Sequence, residues 1–445
     1  MIEPRTLKGF RDFLPEAMIP RERLIAAAQE IYRSFGYSPI DTPALEYHEI
    51  LVGKGGEESD RQLYQFVDHG GRQVAMRFDL TVPLARFAAQ HASEIVLPFK
   101  RYHIAPVWRG ENTQRGRYRE FMQCDFDTVG TRSAAADIET ALVIHDLIRK
   151  IGSTFGKNFG FTIRLNNRAV LSGLLAKLDL VEKTVPLLRS LDKLGKIGRD
   201  RVAAEMVAAA GATPEQADQV LKLAELSGSN DDILKQLGPL VAGNAIGEEG
   251  VSRLRQILAG AKAGGVGEDV LKLDVSIARG LDYYTGAIYE TFLADLPTIG
   301  SICSGGRYDN LAGLFTKQEL PGIGASLGLD RLLAALDELK IIAPVRTPAP
   351  VLIAFFDKDR LEDYVRIAAT LRAAGIGVEV FPDPKKLGQQ LQYADRRGFR
   401  VAIIAGQREF DAGTCQVKDL LTTQATDVPL ADPDQLISAV RKLLG

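Results

Sequence analysis

The clearest pattern along the chain is an alternation of polar and apolar side chains between Lys100 and Gly130. Two strand-like arms flank a polar loop at Asn112–Gly116, which predicts a β-hairpin. Side chains of the same parity share one face of a strand. The odd positions of the two arms carry Arg101, His103, Arg109, Glu111, Arg117, Arg119, Phe121, Gln123, Asp125 and Asp127. Such a face is too charged for a core, so we expect it to meet a ligand.

The chemistry of this face suits a ligand with phosphates, a flat ring and an amino group. Guanidinium groups match phosphate oxygens, and carboxylates can hold an ammonium. The ring of Phe121 can stack on another flat ring. The alternative is a solvated strand face with scattered charges, which is the simpler interpretation of any one of these residues alone. The whole set on one parity favours the ligand site.

Helical spacing of apolar residues predicts the next elements. Three helices and one strand are predicted over residues 21–35, 84–89, 134–151 and 161–166. Gly36 ends the first of these helices, and Pro83 marks the start of the second. Residues 171–264 are rich in Ala, Leu, Lys and Glu, with breaks at GATPEQ and LSGSNDD. This pattern predicts a helical insertion of four or five helices.

Strand-like alternation returns over residues 272–290, which contain RGLDYYTG. The segment GIGASLGLDRLLAAL, residues 322–336, predicts a glycine-rich strand that runs into a helix, and its small residues leave room for a nucleotide. Prolines at IIAPVRTPAP predict a linker. Beyond it, strands and helices alternate over about 95 residues, which predicts a small α/β unit with a mostly parallel sheet.

Composition narrows the class of protein. The 445 residues, 46% hydrophobic and 25% charged, are typical of a globular protein with several domains. No apolar run reaches the roughly 18–20 residues that span a bilayer, and the charged N-terminal segment lacks an apolar signal core. Three widely spaced cysteines without a CxxC pair argue against a disulfide framework and a zinc site, and favour a reducing cytoplasm. The net charge of −2 does not by itself indicate a nucleic-acid binder.

Several motifs together resemble one enzyme family. VWRGE followed by GRYREFMQ resembles the second motif of class II aminoacyl-tRNA synthetases, and G-x-D-R-L resembles the third. FMQCDFDTVG, RGLDYYTG and SICSGGRYDNL narrow the resemblance to the histidyl-tRNA synthetases. The resemblance implies an α+β catalytic domain built on a mostly antiparallel sheet with flanking helices. Its two parts, residues 1–170 and 265–340, would enclose a helical insertion at 171–264, followed by a linker at 341–349 and an anticodon-binding α/β domain at 350–445.

The resemblance also implies an activity. Histidine and ATP would give histidyl-adenylate and pyrophosphate, and histidine would then pass to the 3′ end of tRNA(His). The protein would be a cytoplasmic homodimer without a membrane segment. Mg²⁺ would enter with ATP, and no metal site made by protein alone is expected.

The implied residue roles follow the motifs. Arg109 and Arg279 would be catalytic, at the α-phosphate and the reacting carboxylate, and Arg331 would bind the β- and γ-phosphates. The ATP-binding set is Arg109, Glu111, Arg117, Phe121, Gly324 and Arg331. The histidine-binding set is Asp79, Thr81, Arg109, Gln123, Asp127, Arg279, Tyr283, Tyr284 and Tyr308. Within it, Asp79, Thr81 and Gln123 would hold the ammonium, while Asp127, Tyr284 and Tyr308 would recognise the imidazole.

The sequence also allows other roles for two of these residues and other functions for the chain. Asp79 and Thr81 can instead cap the following helix. A non-catalytic histidine-sensing subunit of ATP phosphoribosyltransferase shares the catalytic fold, although such proteins usually lack the C-terminal domain. A class II enzyme for glycine, proline or threonine is a further alternative. The sequence departs from the family pattern at two places. Asp79 stands where Glu is common, and Asn112 and Thr113 replace a basic loop with a proline, which leaves recognition of an extra 5′ guanosine open.

Overall fold

A computed structural model describes residues 1–53, 60–191, 193–277, 283–342 and 344–445 of the chain. These residues form two compact units. Residues 1–12 and 23–342 make up the first unit, and residues 13–22 and 343–445 make up the second. Within the described ranges, no helix combines the length and the apolar character needed to cross a lipid bilayer.

The first unit is organised around a large β-sheet. The described strands of the first unit are, in chain order, β1 (Ser38–Pro39), β2 (Leu45–Tyr47), β3 (Gln65–Val67), β4 (Gln73–Met76), β5 (Phe99–Trp108), β6 (Glu120–Val129), β7 (Phe161–Asn167), β8 (Leu271–Leu273), β9 (Ala287–Leu293), β10 (Cys303–Tyr308) and β11 (Gly322–Gly328). Eight strands of the described chain form one sheet in the order β1-β5-β6-β11-β10-β9-β7-β8. Within the described part of this sheet, only the outer pairs β1–β5 and β7–β8 are parallel, which confirms the predicted mostly antiparallel sheet. Strands β2, β4 and β3 form a separate small sheet.

Helices flank the large sheet. In chain order they are α1 (Pro15–Ser34), α2 (His48–Leu51), α3 (Thr81–Gln90), α4 (Ala134–Thr154), α5 (Arg168–Lys177), α6 (Thr184–Leu191), α7 (Leu194–Ile197), α8 (Arg199–Ala210), α9 (Pro214–Ala224), α10 (Asn230–Val241), α11 (Ala245–Ala263) and α12 (Leu329–Glu338). Short 3₁₀ turns lie at Val181–Lys183, Pro297–Ile299 and Leu311–Leu314. Ser133, Asn167 and Asn244 cap α4, α5 and α11 with side-chain oxygens, which accept from backbone N–H groups that have no partner inside the helix.

Two predictions about the helices need correction. Helix α1 begins at Pro15, not at Arg21, so Pro20 lies inside it. The helix persists because Leu24, Ala28 and Tyr32, spaced by one helical turn, are fully buried in the core. The segment expected to hold four or five helices contains seven in its described residues, α5 to α11. Its buried leucines and valines join the core of the large sheet in one continuous cluster.

The second unit has its own sheet and core. Its strands are β12 (Val351–Ala354), β13 (Val378–Val380), β14 (Val401–Ile404), β15 (Thr414–Asp419) and β16 (Ala425–Pro429), in the order β13-β12-β14-β15-β16. Its further helices are α13 (Leu361–Ala373), α14 (Leu387–Arg397), α15 (Gln407–Asp411) and α16 (Pro433–Leu444), with a 3₁₀ turn at Lys358–Arg360. The predicted mostly parallel sheet is in fact mixed, because β15 and β16 pair antiparallel. Val428 is the one buried residue of β16, so no alternation of apolar and polar residues predicts this strand.

A buried charge cluster ties the large sheet to the helices. The carboxylate of Asp137, on α4, accepts from Nε and Nη2 of Arg307, on β10, each at 2.9 Å. It also accepts from Nη1 of Arg253, on α11, at 3.0 Å. Asp137 is fully buried, so the desolvated carboxylate depends on these two guanidinium groups. The cluster fixes the end of β10 that carries Tyr308.

Replacing Asp137 by alanine should strongly destabilise the first unit. The change leaves the buried guanidinium of Arg307 without its main counter-charge, which typically costs about 3–5 kcal/mol. The control is Asp146→Ala on the same helix, where the carboxylate is half exposed and the expected loss is within about 0.5 kcal/mol. Urea unfolding of the full-length chain measures both free energies. Equal stability of the two variants would contradict the role of the cluster.

Candidate active site

The predicted hairpin is present and forms the floor of a cleft. Strands β5 and β6 pair antiparallel, with Arg101 opposite Asp127, His103 opposite Asp125 and Val107 opposite Phe121. The backbone N–H of Arg109 donates to the carbonyl of Arg119 at 2.9 Å, which closes the base of the connecting loop. The parity argument from the sequence is therefore confirmed for the paired residues.

One cleft of about 310 Å³ collects almost all of the predicted site residues. Its walls include Asp79, Thr81, Arg109, Glu111, Arg117, Phe121, Gln123, Asp127, Tyr283, Tyr284, Tyr308, Gly324 and Arg331. The remaining predicted residue, Arg279, lies outside the described residues. Segments far apart in the chain thus meet in one place, with cations at one end and carboxylates and tyrosines at the other.

The cationic end holds three guanidinium groups close together. Nε of Arg109 donates to the carbonyl of Phe78 at 2.9 Å, and Nη1 of Arg331 donates to the carbonyl of Ser301 at 2.6 Å. Burial, and then the charges of Arg117 and Arg109, lower the pKa of Arg331. Three guanidinium groups confined in one cleft make a strong site for a polyanion.

Helix α12 aims Arg331 at the cleft. The backbone N–H of Met122, on β6, donates to Oδ2 of Asp330 at 2.7 Å, and Arg11 donates to the other oxygen at 2.6 Å. These bonds hold the first turn of α12 against the hairpin. Arg331 follows Asp330 directly, so its direction is set by the same contacts.

An aromatic ring lies beside the cations. Phe121 packs against the small apolar cluster of Leu80, Ala105 and Val107. The guanidinium carbon of Arg109 lies 5.1 Å from the centre of the Phe121 ring. One face of a planar ligand can stack on this ring while its phosphates reach the arginines.

The opposite end of the cleft combines carboxylates with tyrosine hydroxyls. The hydroxyl of Tyr308 donates to Oδ1 of Asp127 at 2.5 Å, and Nη2 of Arg101 lies 2.7 Å from Oδ2 of Asp127. The hydroxyl of Tyr283 donates to Oδ2 of Asp79 at 3.3 Å. Burial raises the pKa of both carboxyls and keeps Tyr284 protonated by raising its pKa strongly. Buried donors and acceptors of this kind can discriminate the two nitrogens of a ring.

Asp79 serves the helix and the cleft together. Its Oδ1 accepts from the backbone N–H of Val82 at 3.0 Å, in the first turn of α3. It also lines the cleft beside Thr81. The capping and the ligand-binding interpretations of this segment are thus compatible.

Two glycines of β11 make space for the polar end. A Cβ on Gly322 would lie 2.2 Å from the ring of Tyr308. A Cβ on Gly324 would lie 2.2 Å from the carbonyl oxygen of Phe126 and 2.3 Å from the carboxylate of Asp127. Any side chain at either position would displace a group that lines the cleft.

Sequence reasoning did not assign roles to several residues of the cleft. Asp125 had the correct parity but no function, Ser326 was interpreted only as a small residue that leaves room for a nucleotide, and Glu290 had no role. Arg101 also had the correct parity, but it is buried against Asp127 and does not line the cleft. Parity marks a shared face of one hairpin, whereas Ser326 is brought opposite Asp125 only by the pairing of β11 with β6. His103, another member of the charged face, forms a hydrogen bond with Asp41 at 2.9 Å, and burial lowers its pKa to about 4. No histidine lines the cleft in the described part of the chain.

Comparison with known proteins identifies relatives along the whole chain. A family model described as Histidyl-tRNA synthetase matches residues 9–332, and one described as Anticodon binding domain matches residues 342–443. The chain is 63% identical to a histidine–tRNA ligase of Rhodopirellula baltica, over 99% of both chains. The crystal structure of histidyl-tRNA synthetase from Nostoc sp. PCC 7120 superposes with a TM-score of 0.88 at 34% identity, covering 100% of both chains.

A more distant structure shares the fold. It is an ATP phosphoribosyltransferase regulatory subunit/histidyl-tRNA synthetase from Bacillus halodurans, with a TM-score of 0.72 at 22% identity. The match covers 87% of this chain and 96% of that one. At this identity the likeness shows the fold alone.

Replacing Asp125 by asparagine should stabilise the protein at alkaline pH. Burial raises the pKa of the Asp125 carboxyl to about 7, whereas an unfolded chain has a value of about 3.9. The folded protein therefore binds the proton more tightly, and its stability falls as the pH rises through this interval. The asparagine variant lacks this loss. Its free energy of unfolding should therefore exceed that of the wild-type protein by up to about 4 kcal/mol above pH 8 and should equal it below pH 4.

Urea unfolding from pH 4 to pH 8 measures this difference. Asp295→Asn, at an exposed position, is the control and should leave the pH dependence unchanged. A gain for Asp125→Asn that does not vary with pH would show that the buried carboxyl is not the cause.

Proposed function

The chain belongs to the histidyl-tRNA synthetase family, and from this premise we propose that the cleft between the hairpin β5–β6 and the segments packed on it is the site of histidine activation. The chain is an aminoacyl-tRNA ligase. It activates histidine with ATP to histidyl-adenylate, releases pyrophosphate and transfers histidine to the 3′ end of its tRNA. The observation that carries the site assignment is the gathering of three guanidinium groups at one end of a cleft whose other end presents buried carboxylates and tyrosines.

We propose that the cations catalyse the first step by stabilising charge. An oxygen of the histidine carboxylate attacks the α-phosphorus, and the bond to the bridging oxygen of pyrophosphate breaks. Both reactants are anions, so positioned cations lower the barrier without covalent participation of the protein. Arg109 serves the α-phosphate, and Arg331 with Arg117 serves the outer phosphates. Arg279 is proposed, from its sequence motif alone, to bind the reacting carboxylate.

The nucleotide base is proposed to stack on Phe121, with its amino group donating to Glu111. Gly324 leaves space for the nucleotide and for Asp127. Mg²⁺ would supply charge neutralisation on the phosphate oxygens. In the described residues no three His, Cys, Asp or Glu side chains converge into a metal site. Glu290 also lines the cleft, and its carboxylate could complete the shell of an ion held mainly by phosphates.

The imidazole is proposed to lie between Asp127 and Tyr284. The carboxylate of Asp127 accepts from one ring nitrogen, and the hydroxyl of Tyr284 donates to the other. Since the hydroxyl of Tyr308 already donates to Asp127, its contribution is to orient that carboxylate. The ammonium is proposed to bind among Asp79, Thr81 and Gln123. This arrangement accepts a neutral imidazole and excludes side chains that lack both ring nitrogens.

Transfer to tRNA is proposed to involve both units. Residues 342–443 match an anticodon-binding domain, which supports contact of the second unit with the anticodon of tRNA(His). We also propose a cytoplasmic homodimer of class II type. Four apolar side chains of the small sheet are exposed at 44–56% and would suit burial against a second copy: Leu45, Tyr47, Phe66 and Val67.

ATP–pyrophosphate exchange, measured with each amino acid in turn, tests the proposed function. We expect exchange with histidine and with no other amino acid. Arg331→Gln should reduce it by at least about a hundredfold, because a preorganised cation at the phosphates is lost. Arg346→Gln, which alters an exposed arginine paired with Glu16, is the control and should retain activity. Histidine binding without exchange would instead favour the histidine-sensing subunit.

Two further variants separate the ends of the cleft. Tyr284→Phe should raise the KM for histidine about tenfold, the effect of one lost hydrogen bond in a buried site, with the KM for ATP nearly unchanged. Phe121→Leu should raise the KM for ATP and leave the KM for histidine nearly unchanged, because it removes the stacking surface for the base. Steady-state exchange kinetics measure both constants. Equal losses for both substrates in either variant would contradict the assignment of that end.

A further inference from the structure

Three polar side chains of the cleft form a short hydrogen-bonded chain across two strands. Asp125, on β6, lies directly opposite Ser326, on β11. This register places the Ser326 hydroxyl beside the Asp125 carboxylate, and hydrogen bonding from Ser326 lowers the pKa of that carboxyl, against the larger rise that burial causes. Nε2 of Gln123, the next residue on the same face of β6, donates to Oγ of Ser326 at 2.9 Å. All three side chains line the cleft.

The Asp125 carboxylate at the end of this chain determines which group donates in each hydrogen bond. An ionised carboxylate only accepts, so the single hydroxyl proton of Ser326 goes to Asp125. The serine oxygen then offers only lone pairs to Gln123, so the amide must present its NH₂ group to the serine. The carbonyl oxygen Oε1 of Gln123 is thereby turned away from Ser326. It is buried and accepts no hydrogen bond from the described residues.

A buried acceptor without a donor is costly unless a ligand satisfies it. Gln123 is 9% exposed and Asp125 is 2% exposed, and Oδ1 of Asp125 likewise has no hydrogen-bond partner in the described chain. An ammonium carries three N–H donors and a positive charge. Of the groups of an amino acid, the ammonium is the one that suits these acceptors. If the amide of Gln123 were reversed, its NH₂ group would point donors at the ammonium.

We infer that Asp125 and Ser326 are positioning residues that fix the amide of Gln123 with its carbonyl oxygen toward the α-ammonium of the substrate, and so favour histidine over an analogue without the amino group. This inference rests on the proposed function, since it takes histidine as the ligand of the cleft. It adds two residues that act through Gln123 and need not touch the substrate.

The charge of Asp125 matters for the direction of the chain. Burial raises the pKa of this carboxyl to about 7, Arg101 opposes that rise, and Asp127 and Asp79 add to it. The protonated acid could donate to Ser326 and allow the reverse order. The test is therefore made at pH 8, where Asp125 is mostly ionised.

Calorimetric dissociation constants for two ligands provide the test. The ligands are histidine and 3-(imidazol-4-yl)propanoate, which lacks only the amino group. Ser326→Ala frees the amide to turn, so it should raise the Kd of histidine about tenfold and change the Kd of the analogue less than twofold. Ser326→Thr keeps the hydroxyl and should restore wild-type selectivity. The Kd of ATP should not change in either variant.

A double-variant cycle tests the chain as a unit. Asp125→Asn should also lower the preference for histidine, and Asp125→Asn combined with Ser326→Ala should be no worse than the more affected single variant. Losses of histidine affinity that add up in the double variant would overturn the inference. So would an equal loss of affinity for both ligands in the variants, or a wild-type protein that binds the analogue as tightly as histidine. Unfolding curves confirm that each variant is folded.

The two proposals fail in different ways. Absence of histidine-dependent exchange in the wild-type protein would overturn the proposed activity. The ratio of the two dissociation constants requires no catalysis, so it decides the orientation of Gln123 in either case.

Discussion

The carboxylate end of the cleft depends on a buried ion pair between Arg101 and Asp127. Arg101 is fully buried, and its guanidinium lies 2.7 Å from a carboxylate that also accepts from Tyr308. Removing two charges from water is expensive, and a low-dielectric interior returns this free energy only through close pairing. Arg101 is the cation that makes the neighbouring acids Asp125 and Asp127 tolerable on one strand, since its charge lowers the pKa of both. The site therefore tolerates a local cost that the surrounding sheet and helices must offset.

The two ends of the cleft use the same principle with opposite charge. At one end, three guanidinium groups lie close together, and burial and the neighbouring cations lower the pKa of Arg331. At the other, Oδ1 of Asp125 and Oε1 of Gln123 are buried and have no hydrogen-bond partner among the described residues. Under the proposed function, phosphates would supply counter-charge at the first end and an ammonium would supply donors at the second. Binding free energy would thus be directed to the atoms that react, which is where preorganised electrostatics lower a barrier.

The scaffold supports this arrangement through close contacts at a few positions. Gly322 and Gly324 let β11 approach Tyr308 and Asp127, and the Asp137 cluster fixes β10 to α4 and α11. Asp330 anchors α12 to the hairpin and sets the direction of Arg331. These residues need not touch the substrates, yet each determines where a contacting group lies. The rigid sheet carries the site, and the helices hold the sheet in register.

The sequence by itself determined the hairpin and the set of side chains that share its charged face, because both follow from a period of two along a single strand, which is local information. The mostly antiparallel sheet was implied by the resemblance of short motifs to a known family. Only the tertiary structure decided that Ser326 stands between Gln123 and Asp125, that Arg101 is buried beneath the carboxylates, and that β16 closes the second sheet. These features depend on the register between strands that are distant in the chain. That register is set by the packing of the whole core, and no local pattern in the sequence encodes it.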